Sequence, residues 1–174
     1  MKETLKRKII AEIKERLDKD KYDIKDELDL YGNIQIWLKL YDRKDILHIA
    51  QIVKDFGGRC VIISAYKKDD HHVLVYHLDI DGILLNVEVE LFDNTVDSIT
   101  PILKSADWTE REFKEMFGIK LLNHPNPKRL FLDESIAEGI LGEYMPLSQA
   151  MNGAATCSMW EKIESERHKD EQNN

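Results

Sequence analysis

Cysteine is scarce: Cys60 and Cys157 are the only two in 174 residues, and they form no CxxC pair. That excludes a disulfide framework and a four-cysteine iron–sulfur site, and it fits a reduced, cytoplasmic protein. Long apolar runs are missing too. The densest, around Cys60–Tyr66 and Gly82–Leu91, fall well short of the ~18 to 20 residues that a membrane span requires. The opening MKETLKRKIIAEIKERL never becomes an apolar core, so no secretory signal is expected there. Positive charge is in short supply, with 25 Lys and Arg against 33 Asp and Glu and a formal net charge of -8. A general binder of nucleic acid or of anionic membrane would need a basic stripe instead. No GxGxxG, P-loop or GxSxG signature is present.

What remains is 43% hydrophobic and 33% charged, enough to build a core under a well-solvated surface in one domain with an appendage. Leu5, Ile9, Ile10, Ile13 and Leu17 recur at helical spacing and predict an amphipathic first helix, followed by a polar connection over DKDKYD. Ile34, Ile36, Leu38 and Leu40 alternate with Gln35, Trp37 and Lys39 as in a half-buried strand. Asp42 reads as a helix N-cap with Asp45 in the first turn. Ile46, Ile49, Ala50, Val53 and Phe56 continue at helical spacing to a Gly57-Gly58 stop.

Three strands are expected next: Cys60–Tyr66, then a KKDDH turn, His72–Ile80, an Asp81-Gly82 hairpin, and Ile83–Phe92. Leu85, Val87, Val89 and Leu91 share one face of the last strand and Glu88 and Glu90 the other, where both carboxylates are expected in water. Pro101 suits the first turn of a short helix. The fold class is therefore α+β: a mixed or antiparallel sheet with helices packed on one face, followed by an extended C-terminal tail. The domain runs over 1–132. Residues 133–174, rich in Gly and small residues with scattered apolar anchors, read as an extended partner-binding tail.

The one stretch dense in unusual choices is 107–132, DWTEREFKEMFGIKLLNHPNPKRLFL. Asp107 with Glu110 has capping-box spacing. Phe113, Met116 and Phe117 form an apolar face. Glu110 with Lys114, and Arg111 with Glu115, are spaced as surface ion pairs. Gly118 stops the helix, and Pro125 and Pro127 stiffen the loop after it. Trp108, Phe113, Phe117 and Phe131 lie close in sequence beside arginine and a rigid loop, the composition of interface hot spots. Catalytic sets are not found. His71 and His72 point to opposite faces of a strand, and His71 and His77 lie roughly 20 Å apart along it at ~3.3 Å per residue. Cys60 reads as a small buried thiol. His124 is the best placed catalytic candidate, although a histidine before a proline more often fixes a loop by hydrogen bonds. The residues by themselves describe a docking subunit rather than a self-sufficient enzyme.

Glu110-Arg111-Glu112, Met116-Phe117-Gly118-Ile119, His124-Pro125 and Lys128-Arg129-Leu130 resemble the signature of the thirty-kilodalton subunit family of respiratory NADH–quinone oxidoreductase. That family includes the small subunit of energy-converting membrane-bound hydrogenases and part of the formate hydrogenlyase large subunit. The resemblance is specific over Trp108–Leu132 and agrees in element order over roughly 1–147. It implies a peripheral subunit on the cytoplasmic face of a membrane complex, with no cofactor and no catalytic residue of its own. Its partners would be a large hydrogenase-like or quinone-site subunit and an adjacent iron–sulfur subunit, carrying iron–sulfur clusters and, in the hydrogenase branch, nickel–iron. Contact with the membrane would be indirect, and nucleic acid is not implied. Trp108, Glu110, Arg111, Glu112, Phe117, Gly118, His124, Pro125 and Arg129 occupy the motif and are the expected partner-binding residues. Respiratory members continue into Pro-Leu-Arg-Lys-Asp-Phe-Pro, whereas here Gly139–Leu147 reads GILGEYMPL. The departure makes the hydrogenase branch the lead expectation and the NADH–quinone oxidoreductase the alternative. A free-standing protein-binding adaptor is the reading from another class.

Overall fold

A computed structural model describes residues 2–132 and 138–139. Helix α1 spans Lys2–Arg16. Of its predicted stripe, Ile9, Ile13 and the following Leu17 are buried, and Leu5 and Ile10 pack against the core from its margin. The connection after α1 is shorter than DKDKYD implies. A 3-10 turn at Lys19–Lys21 leads straight into strand β1, Tyr22–Leu28. Pattern does not mark β1 because it is an edge strand with charged side chains on both faces. Its main-chain partners come from β2, Ile34–Leu40, in an antiparallel register from Tyr22 opposite Leu40 to Leu28 opposite Ile34.

Asp42 does cap a helix, though with an intermediate step. Its carboxylate accepts the Lys44 amide at 2.9 Å and so opens a 3-10 turn, Arg43–Asp45, that feeds α2, Ile46–Asp55. Gly57 has φ 71°, and Gly58 N–H closes on Val53 O at 2.8 Å. A Cβ on Gly58 would stand 2.5 Å from Asp79 O, so the chain can pass the sheet here only as glycine.

Strands β3, Arg59–Lys68, and β4, His71–Ile80, run longer than expected and leave only Asp69-Asp70 as the turn, with Asp69 at φ 51°. A bulge between Cys60 and Ile62 shifts the register. Asp81 and Gly82, both at positive φ (50° and 75°), make the tight hairpin into β5, Ile83–Leu91. The sheet order is β1-β2-β5-β4-β3, and β2 lies parallel to β5 while the other pairs are antiparallel, so the sheet is mixed. Leu74, Tyr76, Leu78, Ile80, Leu85, Val87, Val89 and Leu91 share one buried cluster with α1, α2 and the later helix. Alternation in β4 and β5 thus does decide which face is inward.

The opposite face is drier than expected. Val73 is fully buried there, and Glu90 accepts Lys39 Nζ at 2.8 Å and Lys68 Nζ at 3.1 Å. Glu88 meets Lys39 at 3.3 Å. Both carboxylates are partly covered and paired rather than simply solvated.

A two-stranded parallel pair follows, β6 Thr95–Asp97 with β7 Lys120–Leu122. Between them come turns at 98–102, a 3-10 turn at Lys104–Ala106 and helix α3, Asp107–Phe117. Pro101 therefore opens a turn rather than a separate helix. No described helix is long and apolar enough to cross a membrane. Apart from Glu138 and Gly139, the expected partner-binding tail over 133–174 lies outside the described residues.

Candidate functional site

The capping box does not form. The 3-10 turn runs into α3 without a break, and Ala106, not Asp107, holds the cap position with no side-chain hydrogen bond. Glu110 is thereby free to turn inward, where it is fully buried. The β6–β7 pairing brings 98–100 over it. Glu110 Oε2 accepts the Ser98 hydroxyl at 2.5 Å and the Thr100 hydroxyl at 2.6 Å, and Oε1 accepts the Ile99 amide at 2.7 Å. Burial pushes this carboxyl above its ordinary value, against the pull of the two hydroxyls, the Ile99 amide and His124.

His124 closes the same cluster. Its Nδ1 accepts the Asn126 amide at 3.0 Å. The hydrogen of a neutral ring therefore sits on Nε2, which lies 3.2 Å from Asp107 Oδ1, 3.4 Å from Thr100 Oγ1 and 3.7 Å from Glu110 Oε2. A ring with one nitrogen accepting an amide and the other carrying its hydrogen has no lone pair left for a metal. Its side chain is fully buried. His124 ties the His-Pro loop to α3 and 98–100. Among the described residues no group of three or more His, Cys, Asp or Glu could hold a metal. Burial pushes the Cys60 thiol up to about 12, as suits an inert core sulfur.

The spaced pairs Glu110–Lys114 and Arg111–Glu115 do not form. Arg111 meets Asp107 at 3.8 Å along the helix, but Glu115, Arg111 and Lys114 reach across to the returning loop and satisfy its main chain. Glu115, also buried, accepts the amides of Leu130 (3.0 Å), Phe131 (2.9 Å) and Leu132 (3.1 Å). Arg111 donates to Lys128 O at 2.8 Å and Arg129 O at 2.7 Å, and Lys114 donates to Pro127 O at 3.1 Å. Burial tends to raise the Glu115 carboxyl, but the three amides and nearby Arg129 outweigh it and hold the group below its ordinary value. A loop with no strand partner thus finds its main-chain hydrogen bonds on a helix face.

Gly118 ends α3 at φ 65°, as expected of a left-handed cap. Its oxygen accepts Asn94 Nδ2 at 2.9 Å. Gly139 is laid against it: Gly139 N–H donates to Glu115 O at 2.8 Å, and a Cβ on Gly118 would stand 3.3 Å from Gly139 Cα. Lys114 also meets Glu138 at 3.0 Å.

The predicted motif residues therefore divide. Glu110 and His124 are brought together and face inward, whereas Arg111 reaches the loop carbonyls and Gly118 closes the far end of α3 against Gly139. Phe117 is half-buried, edge-on to His72. Trp108, Glu112 and Pro125 face solvent, and Arg129 lends its carbonyl to Arg111. Trp108 is 63% and Phe131 60% exposed, and their rings meet edge to face at 6.5 Å. Sequence reasoning missed Ser98, Thr100 and Asn94, and misassigned Lys114 and Glu115. Only the long-range β6–β7 pairing and the loop's return reveal those roles.

Residues 40–156 match the family of the respiratory-chain NADH dehydrogenase 30 Kd subunit. The chain belongs to this family. It is 30% identical over 112 residues to the C subunit of an NADH-quinone oxidoreductase from Citrifermentans bemidjiense, a match covering 59% of this chain and 68% of that one. It is 36% identical over 87 residues to the J subunit of the NAD(P)H-quinone oxidoreductase of the Paulinella chromatophora chromatophore, covering 45% of each. Among solved structures it shares its fold with a chain of an archaeal membrane-bound sulfane sulfur reductase, a respiratory membrane complex. The TM-score is 0.53 at 16% identity, over 74% of this chain and 77% of that one.

Proposed function

We propose that this chain is a non-catalytic docking subunit of a membrane-bound, energy-converting hydrogenase complex, seated against the large subunit on the cytoplasmic face. The observation that carries the reading is the exposed Trp108–Phe131 pair, Trp108 standing on α3 and Phe131 on the loop that α3 clamps through Glu115, Arg111 and Lys114. Preorganised aromatics next to a basic Lys128-Arg129 step are what an interface anchor requires. The motif's inward-facing charges support the same view, since they build the loop that carries Phe131. Family membership supports a place in a respiratory-type redox complex. The hydrogenase branch rests on the sequence beyond Gly139, where GILGEYMPL replaces the respiratory wording. In that setting the iron–sulfur and nickel–iron centres belong to partner subunits, and the membrane is reached only through them.

The same docking role in an NADH–quinone oxidoreductase is the second reading, favoured by the relative from Citrifermentans bemidjiense, whose name places it in such an enzyme. The test is purification of the native assembly through a tag on this chain, followed by metal analysis and identification of the large subunit. Nickel with a hydrogenase-type large subunit is expected. A quinone-reactive large subunit without nickel establishes the second reading, and no large subunit at all sinks both.

A further inference from the structure

The β1–β2 hairpin carries apolar side chains where the fold has no use for them. Leu30 is 100% exposed, Tyr31 89% and Leu28 63%. One exposed leucine is ordinary on a protein surface, so exposure alone decides nothing. The turn that presents them is more telling. Asp29 accepts the amides of Tyr31 and Asn33 on Oδ1 and the Asn33 side-chain amide on Oδ2, each at 2.8 Å. Asp29 N–H reaches Asn33 O and Gly32 N–H reaches Asp29 O, both at 3.0 Å, with Gly32 at φ 79°. Asp29, Gly32 and Asn33 therefore build the whole turn, with the residue types that turns use. Leu30 and Tyr31 add no side-chain contact to it and are simply held up.

Leu28 belongs to the side of the hairpin that faces the helices. The last tie there is Lys6 Nζ to Asp26 at 2.8 Å, and Leu28 lies past it, beyond the cover of α1. The tip thus projects from the body as a short apolar knob of fixed shape.

Charge selects the occupant. Residues 26–33 contain no Lys or Arg. Lys6 pairs with Asp26, but Glu27 and Asp29 leave the tip with negative charge. An anionic bilayer would repel such a rim, while a protein pocket with an apolar floor and Lys or Arg at its edge suits both the side chains and the field. We infer that Leu28–Tyr31 is a second docking element, which inserts Leu30 and Tyr31 into an apolar, basic-rimmed pocket on a protein partner. It lies before the 40–156 segment that the family matches and is separate from the Trp108–Phe131 ridge. It rests on the docking-subunit reading above, and its rigid turn means that little ordering entropy opposes insertion.

The test compares the full chain with its Leu30→Ser, Tyr31→Ser double variant, each tagged and purified from the native host. Because both side chains sit in water, the isolated variant should melt with the wild type. It should nevertheless retain at least ~10-fold less of the co-purifying partner, the loss expected of two anchor side chains. A photo-crosslinking benzoylphenylalanine in place of Tyr31 should label that partner at an apolar peptide flanked by Lys or Arg. Full retention by the double variant overturns the inference, as does labelling of a second copy of this chain or of phosphatidylglycerol vesicles. A wild-type chain that retains no partner overturns both this inference and the docking-subunit reading. A double variant that keeps the partner overturns the knob alone.

Discussion

The outer face of the sheet and the polar face of α3 carry the same residue types and use them differently. On the sheet, Lys39 and Lys68 meet Glu88 and Glu90, side chain to side chain. On α3, Glu115, Arg111 and Lys114 bind the main chain of 127–132, and Arg111 keeps only a longer contact along the helix, 3.8 Å to Asp107. Partly solvated ion pairs contribute ~0–1 kcal/mol, because water competes well for both partners. A buried carboxylate that takes three amides has no such competitor, and removing it leaves donors orphaned. The contrast is one of what would be left unsatisfied, not of how many charges meet.

Substitutions should fall in that order. Glu110→Ala strips the Ser98 and Thr100 hydroxyls and the Ile99 amide of their acceptor. It should cost about 3 kcal/mol or more in urea unfolding, since each buried orphan costs ~1–3 kcal/mol. A loss no greater than that of a surface change would remove the distinction between the two regions.

Glu115→Gln keeps one carbonyl oxygen and loses the other acceptor and the charge, so a cost of about 1–2 kcal/mol is expected. Its pH dependence sharpens the point. A carboxyl held low in the folded state stabilises fully above its ordinary value of ~4.3, and that stabilisation is lost as pH falls through the lower folded value. Wild type and Glu115→Gln should therefore converge on acidification below ~4.3. A gap that widens there contradicts the assignment.

Gly118→Ala places a Cβ at φ 65° and 3.3 Å from Gly139 Cα. About 1–2 kcal/mol should be lost, from the left-handed backbone alone. Lys39→Ala should change stability least, by less than ~1 kcal/mol, even though it removes two ion pairs. A larger effect would mean that the outer sheet face is itself a buried network.

The same contrast explains what was legible in the sequence. Alternation in β4 and β5, the Asp81-Gly82 hairpin and the Gly57-Gly58 stop are local signals, and the fold obeys them. Strand β1 was not legible, because it places only Tyr22 and Ile24 against the core and charged residues fill most of its other positions. Glu110 and Glu115 were misread for a related reason. Spacings of three and four occur on every helix, and whether a charge turns along the helix or away from it depends on which main chain later returns. The Asp107–Glu110 spacing fitted a cap, but the preceding 3-10 turn removed the need for one. His124 was legible as the best-placed catalytic candidate, as a loop-fixing residue and as part of the partner-binding motif; its carboxylate neighbours, Asp107 and Glu110, were not legible because they come from α3.

The most direct measurement is amide hydrogen exchange at Leu130, Phe131 and Leu132 in the isolated full chain, wild type against Glu115→Gln. If α3 clamps the loop, all three amides are clearly protected in the wild type, and the variant, left with one acceptor oxygen, loses part of that protection selectively while β4 and β5 stay protected. Unprotected exchange at these positions in the wild type would contradict the clamp, because the loop carrying Phe131 would then not be held by α3 at all.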